Sequence, residues 1–242
     1  MAHLYRFIGE KIDKDLWQLG ADEAAHLKNV LRLKTGDQCE VMNGQGLWAD
    51  GQVSEIHGKS AIIKTSSEHT DKENAQKIIL ALGALKPASL DELLPCIVEL
   101  GVDSIELFLQ SETAKSRINE KVQQRWTRII QQSVKQCKRS FIPQITVFKS
   151  FDNWAADSLS MQDSLTYKIT LDPLAKTSLI DRCGQASNKN ILLIVGGEKG
   201  LQPNDTKLLG VHGVKGALIG HSVLRAYTAA ISAVATATQT RN

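Results

Sequence analysis

Two apolar runs near the C-terminus each stop at glycine, and they constrain the fold more than anything else in the chain. Ile191-Leu192-Leu193-Ile194-Val195 passes into Gly196-Gly197-Glu198-Lys199-Gly200, and Gly216-Ala217-Leu218-Ile219 passes into Gly220-His221-Ser222-Val223-Leu224-Arg225. A short aliphatic run with no polar alternation suits a strand buried on both faces, the parallel strand of an α/β sheet. Where such a strand ends in glycine, bare N–H and C=O groups stand at the carboxyl edge of the sheet. That is the edge at which open α/β sheets bind ligands. A third run, Tyr167 to Leu171, ends at Asp172-Pro173. Together the three ends predict one crevice walled mostly by backbone. Taken alone, the 196–200 loop reads as an ordinary strand-to-helix turn. It is neither G-x-x-x-x-G-K-[ST] nor G-x-G-x-x-G.

The rest of the chain places those strands. Up to about residue 70 the pattern is β-rich: Gln38–Met42 and Trp48–Val53 flank Asn43-Gly44-Gln45-Gly46, and Ala61–Lys64 follows His57-Gly58-Lys59. A short helix is expected over Asp22–Leu31 with Asp22 as its cap, and a linker over His69–Asn74. Beyond it, strand and helix alternate. Ile78–Leu82 is a strand, Leu90–Leu100 a helix capped by Ser89 and stopped by Gly101, and Ile105–Leu109 a strand. A long helix runs from about Asn119 to Arg139, before Pro143. An alanine-rich helix with Ala226, Ala229, Ala230, Ala233, Ala235 and Ala237 follows the second glycine loop, and its small residues suit close packing on the sheet or on a second subunit. Such alternation predicts an α/β domain with a mostly parallel sheet.

Composition excludes several classes. No apolar run nears the eighteen or so residues of a membrane span, and Met1–Phe7 lacks a signal peptide's apolar core. Cys39, Cys96, Cys137 and Cys183 have no zinc spacing and read as reduced thiols of a cytoplasmic protein with no metal. His26, His69 and His221 assemble into no catalytic triad. The net charge of +3 conceals a block. Between Lys115 and Lys149, nine Lys/Arg face one acid, a local net of +8, leaving −5 for the remainder. At 100° per residue, Lys121, Arg125, Arg128, Lys135 and Arg139 fall within roughly 80° of one another, opposite Val122, Trp126, Ile129, Ile130 and Cys137. The face suits either solvent over a core stripe or phosphate contact with a nucleic acid.

Several short motifs now align with one family. His26-Leu27-Lys28-Asn29-Val30-Leu31-Arg32 with Gly36, Glu99-Leu100-Gly101-Val102, Ser111-Glu112, Gln136-Cys137-Lys138-Arg139 with Ile142-Pro143, and the two glycine loops are spread over nearly the whole chain. In these the chain resembles the bacterial 16S ribosomal RNA uridine-N3 methyltransferases of the SPOUT superfamily. The resemblance implies an N-terminal RNA-binding β-barrel, PUA- or OB-like, over 1–70, and an α/β-knot domain with a deep trefoil knot over 75–242. It implies S-adenosylmethionine as cofactor, a homodimer formed through the knot domain, and methylation of a uridine N3 in small-subunit ribosomal RNA.

Carried onto this sequence, Leu171, Gly196, Gly197, Glu198, Gly200, Leu218, Ile219, Gly220, Ser222, Val223 and Leu224 would frame the cofactor. Arg225 would be the electrostatic catalyst. Arg6, His26, Arg32, Lys34, Lys121, Arg125, Arg128, Lys135 and Arg139 would hold RNA. The chain departs from the motifs at charged or stiff positions. Gly197 replaces a proline, Lys199 a glycine, Ser222 an arginine and Tyr227 a glutamate; Cys96 replaces a lysine, Thr113 an arginine and Lys135 a glutamate. A pocket made of backbone tolerates such changes better than charge-assisted catalysis does. The alternative expectation is therefore an RNA-binding homologue that keeps dimer and pocket but transfers methyl weakly or not at all. A nucleotide-binding α/β protein unrelated to RNA is disfavoured by the basic block.

Overall fold

The structure, a computed structural model, describes residues 4–159 and 165–241. The chain divides into two compact units, Met1–Glu73 with Gln131–Ile142, and Asn74–Ile130 with Pro143–Asn242.

The first unit is a closed barrel of β1 (Arg6–Lys11), β2 (Leu16–Leu19), β3 (Gln38–Met42), β4 (Leu47–His57) and β5 (Ser60–Thr70), in the order β1-β2-β5-β4-β3. A parallel β1–β3 pair closes it, and every other pairing is antiparallel. Alternate residues point inward. Phe7, Trp17, Leu19, Val41, Ala49, Val53 and Ile63 make the core, and no charge lies among them. At Gly51 a Cβ would stand 2.7 Å from the Lys64 carbonyl oxygen, so the β4–β5 pair can close only over a bare backbone.

Two local expectations change, and the expected hairpin between β3 and β4, which is present, gains a second role. The helix is split into α1 (Ala21–Ala25) and a π-turn over His26–Val30, which together bring Ala24 and Leu27 into the barrel core. Its cap is Gly20, and Asp22 lies inside the first turn, where a carboxylate still suits the positive helix end. The Asn-Gly-Gln-Gly loop is a seat for residues 140–142. Gly46 N–H donates to Ser140 O at 3.1 Å and Ile142 N–H to Gly44 O at 3.0 Å. A Cβ at Gly44 or Gly46 would come 2.4 Å from the Ile142 or Phe141 side chain. Finally, β5 runs through Thr70, with His69 stacked on Trp48 (centroids 4.1 Å apart), so no linker begins at His69.

The second unit is a six-stranded sheet of β6 (Ile78–Gly83), β7 (Ser104–Phe108), β8 (Gln144–Phe148), β9 (Thr166–Leu171), β10 (Asn190–Val195) and β11 (Lys215–Ala217). Its order is β11-β9-β10-β6-β7-β8, and every pair is parallel. The expected architecture, a small barrel followed by a parallel α/β sheet, is the observed one. The intervening helices are α2 (Pro87–Glu99), α3 (Glu112–Arg117), α4 (Glu120–Gln136), α5 (Phe151–Trp154), α6 (Leu179–Gly184), α7 (Pro203–Val211) and α8 (Ala226–Gln239). Helix α2 starts earlier than expected: Pro87 takes the first helical position, Lys86 the cap, and Ser89 lies inside. The strands β1, β2 and β8, although Ile145 and Val147 of β8 do alternate with polar residues, and the four short helices α3, α5, α6 and α7 are additions to the expected elements.

Ile79, Ala81, Phe108, Leu192 and Ile194 bury one face of the sheet against Phe151, Trp154 and Leu159. The Glu106 carboxylate buried there accepts a hydrogen bond from Trp154 Nε1 at 2.6 Å. On the other side Ala229, Ala230, Ala233, Val234 and Ala237 bury α8 against β6, β10, α2 and α6. The alanine stripe thus serves the sheet. No helix among the described residues is long and apolar enough to cross a membrane.

Two thiols report on this packing. Burial pushes Cys39 up to about 12, helped by the Glu40 and Asp37 carboxylates, and pushes Cys183 up to about 11. Both should resist iodoacetamide at pH 8 in the native protein and react once it is unfolded, as peptide mapping would show. Their folded values lie above the unfolded one, so the folded state holds these protons longer. Their contribution to stability is complete below about pH 9 and declines as the pH rises towards 11–12.

Candidate active site

The three strand ends read from the sequence are neighbours in space. Ala217 pairs with Leu171, and Thr170 with Ile194, so β11, β9 and β10 finish nearly level. At the usual strand spacing the two glycine loops stand about 10 Å apart with Leu171 and Asp172 between them. Asp172 holds its own turn: its N–H donates to Ala217 O at 2.9 Å, and its Oδ1 accepts from Leu174 N–H at 2.8 Å.

The segment after β11 leaves that strand at the carboxyl edge of the sheet. Leu218 is stitched into the fold by N–H to Thr177 O (2.9 Å) and by C=O from Leu179 N–H (2.8 Å). Its N–H is committed, while its side chain and the second lone pair of its carbonyl remain for a ligand. From Ile219 to Leu224 the backbone makes no hydrogen bond among the described residues, and a Cβ at Gly220 would meet nothing within 4 Å. Ser222 is exposed, Val223 is 85% exposed, and Leu224 is half-buried. Arg225 occupies the cap position of α8 with its side chain in solvent. The unpaired N–H groups of that first turn and the helix dipole make this a locally positive end.

The other loop folds on itself. Gly200 N–H donates to Gly197 O at 2.9 Å, Gly200 has φ of 72°, and a Cβ at Gly196 would lie 2.5 Å from the Gly200 carbonyl carbon. Glu198 and Lys199 at its tip are exposed. The side chain that holds the loop, Gln110, belongs to none of the motifs. Its Oε1 accepts from Gly197 N–H at 2.9 Å and its Nε2 donates to Gly200 O at 3.0 Å. Nothing in the sequence signals a partner 87 residues away.

Known proteins share this architecture and sequence pattern. A family model described as an RNA methyltransferase domain matches residues 72–238, and one described as an RNA methyltransferase PUA domain matches residues 19–66. The chain belongs to this RNA methyltransferase family. Among curated relatives, ribosomal RNA small subunit methyltransferase E of Synechocystis is 25% identical over 97% of this chain and 77% of the relative. The Bacillus subtilis protein of the same name is 22% identical over 90% and 88%. A methyltransferase from Legionella pneumophila, solved with bound SAM, has TM-score 0.84 at 24% identity over 98% of both chains. Ribosomal RNA small subunit methyltransferase E from Neisseria gonorrhoeae, solved with S-adenosyl methionine, has TM-score 0.82 at 22% identity over 96% of both.

For an RNA methyltransferase the disposition of cations matters, and the structure sorts those read from sequence. Arg6 is 7% exposed; its guanidinium bonds Glu40 and the carbonyls of Lys138 and Arg139 and lies 4.7 Å over the Trp48 ring. It is spent on the barrel unit. Lys135 pairs with Glu23 at 2.5 Å, the two side chains being 12% and 19% exposed. It too is bound within the fold. Helix α4 ends at Gln136, and Lys138 has φ of 60°, so Arg139 leaves the helical face on which periodicity set it. Arg125 bonds Asp91, which also accepts from Trp126 Nε1. Lys121 and Arg128 are exposed on α4. In the barrel unit Arg32 and Lys34 are exposed after the π-turn, and His26 is half-buried at its start.

Two motif departures also meet. Cys96 on α2 and Tyr227 on α8, where the motifs carry lysine and glutamate, lie with Sγ and the phenol oxygen 4.0 Å apart. Partial desolvation, then Cys96 beside it, hold the Tyr227 phenol above its ordinary value.

Proposed function

We propose that this chain transfers a methyl group from S-adenosylmethionine to N3 of a uridine in small-subunit ribosomal RNA, as a cytoplasmic homodimer formed through its C-terminal unit. The observation that carries the reading is the backbone of Ile219–Leu224, which makes no hydrogen bond among the described residues, at the carboxyl edge of a parallel sheet and within reach of the positive end of α8. The crevice fits the cofactor. Leu171, Leu218, Ile219 and Leu224 offer apolar surface to an adenine ring, Gly220 leaves room for close approach, and the backbone offers donors and acceptors. Relatives carrying the ribosomal RNA name and neighbours solved with SAM support the same assignment.

When bound, the cofactor supplies an electrophilic methyl on a sulfonium. The chain's own part is placement and charge. The two glycine loops and the Leu171 end would hold the donor beside the base, so that a bimolecular encounter becomes a positioned one. As N3 gives up its proton to solvent water, negative charge spreads to the flanking carbonyl oxygens. Arg225, at the cap of α8, supplies the compensating charge. Exposed Lys121, Arg128, Arg32 and Lys34 hold phosphates and set affinity rather than choice of base.

Calorimetry should show saturable binding of S-adenosylmethionine, and a strain lacking this chain should lose N3-methyluridine from its small-subunit RNA by mass spectrometry. Absence of binding up to about 1 mM ligand would sink the cofactor assignment. Binding with an unchanged methyluridine level would leave the RNA-binding homologue, the reading that serine at exposed position 222 favours.

A further inference from the structure

The Gly196–Gly200 loop lacks the proline that its motif carries, yet it is tightly held. We infer that Gln110 is the positioning residue that keeps this loop in its cofactor-binding shape, taking over the stiffening that a proline at position 197 would supply. The inference rests on the reading of the crevice as an S-adenosylmethionine site.

Glycine in place of proline does two things. It frees the torsion that a pyrrolidine ring fixes, and it adds an N–H that must find a partner. Gln110 answers both. Its Oε1 takes the new N–H of Gly197, and its Nε2 reaches Gly200 O on the far side of the turn, so one planar amide ties both ends of the loop. The internal Gly200 N–H to Gly197 O bond completes the closure.

Space makes the exchange mutually exclusive. A Cβ at Gly197 would lie 2.4 Å from Gln110 Oε1, and one at Gly83, the last residue of β6, would lie 2.3 Å from that oxygen and from Gly197 N. The glutamine amide therefore fills the place that a proline's side-chain carbons need. Glycine at 197 and glutamine at 110 act as one unit, assembled from the ends of three strands.

The test is a double-mutant cycle on the full chain: Gln110→Ala, Gly197→Pro and both together. Hydrogen exchange at residues 196–201 is followed without ligand, and S-adenosylmethionine affinity by calorimetry. Gln110→Ala should speed exchange of the Gly197 amide and weaken binding by about tenfold. Gly197→Pro alone should weaken binding comparably through collision with Gln110. The double variant should return to within about threefold of the parent, a non-additivity that a merely supporting side chain would not produce. Unchanged exchange in Gln110→Ala, or additive losses in the double variant, would overturn the inference. A parent chain that binds no S-adenosylmethionine would instead overturn the cofactor reading, with the brace still judged by exchange. Should Gln110→Ala fail to fold, Gln110→Asn tests the same reach, because one methylene less cannot span both glycines.

Discussion

Replacing Arg6 by alanine should lower the stability of the protein by about 3–5 kcal/mol, the range expected when one partner is removed from a buried ion pair. The guanidinium donates from Nε to Glu40 at 2.6 Å and to the Lys138 and Arg139 carbonyls at 2.9 and 3.3 Å. Without it, Glu40 keeps, among the described residues, Lys138 Nζ at 3.0 Å, two carbonyls lose their Arg6 donor, and Trp48 loses the cation over its ring. Urea denaturation measures the loss. The more exposed Lys11–Glu68 pair is the control, expected to change stability by no more than about 1 kcal/mol on Lys11→Ala. The dependence of RNA affinity on salt should stay the same in Arg6→Ala at temperatures where it is folded. A salt slope reduced by about one, with stability intact, would return Arg6 to the phosphate-binding set.

The second large effect concerns turnover. Arg225→Ala should lower kcat by about 10- to 150-fold, the rate equivalent of a charged hydrogen bond worth about 1.5–3 kcal/mol. Cofactor affinity and stability should hardly move, because the side chain is exposed and makes no cap hydrogen bond to α8. Arg225→Lys should recover part of the rate, keeping the charge but losing the planar fork. Single-turnover methylation of small-subunit RNA separates these terms. A kcat within twofold of the parent in Arg225→Ala would remove this residue from the chemistry. Ser222→Arg, which puts back the arginine of the motif, should raise kcat if charge is what limits this chain.

The motif departures become intelligible in sets. Cys96 faces Tyr227, so the positions of a lysine and a glutamate have become neutral together. Gly197 meets Gln110, and Lys135, where the motif has glutamate, pairs with Glu23. Each of these four changes is answered by a contact far along the chain, whereas Lys199 and Thr113 are exposed. Ser222 stands apart, exposed at the crevice, and is the departure that bears most directly on transfer.

What the sequence by itself determined was local. Alternation of apolar residues marked β3, β4 and β5 of the barrel but not β1 or β2, continuous aliphatic runs marked the buried parallel strands, and glycines marked where those strands stop. The crevice was legible for that reason: a strand end is a property of adjacent residues, and register in a buried sheet then levels Ala217 with Leu171 and sets Thr170 beside Ile194. The tertiary structure alone decided which charges are available and what braces the loops. Arg6 finds its partners 34 and 132 residues away, Lys135 its carboxylate 112 away, and Gly197 its amide 87 away. Helical periodicity can place a cation on a face but is blind to an acid arriving from another element. The two glycine-ended strands therefore located the candidate crevice, while long-range pairing determined how its loops are held and which cations remain exposed.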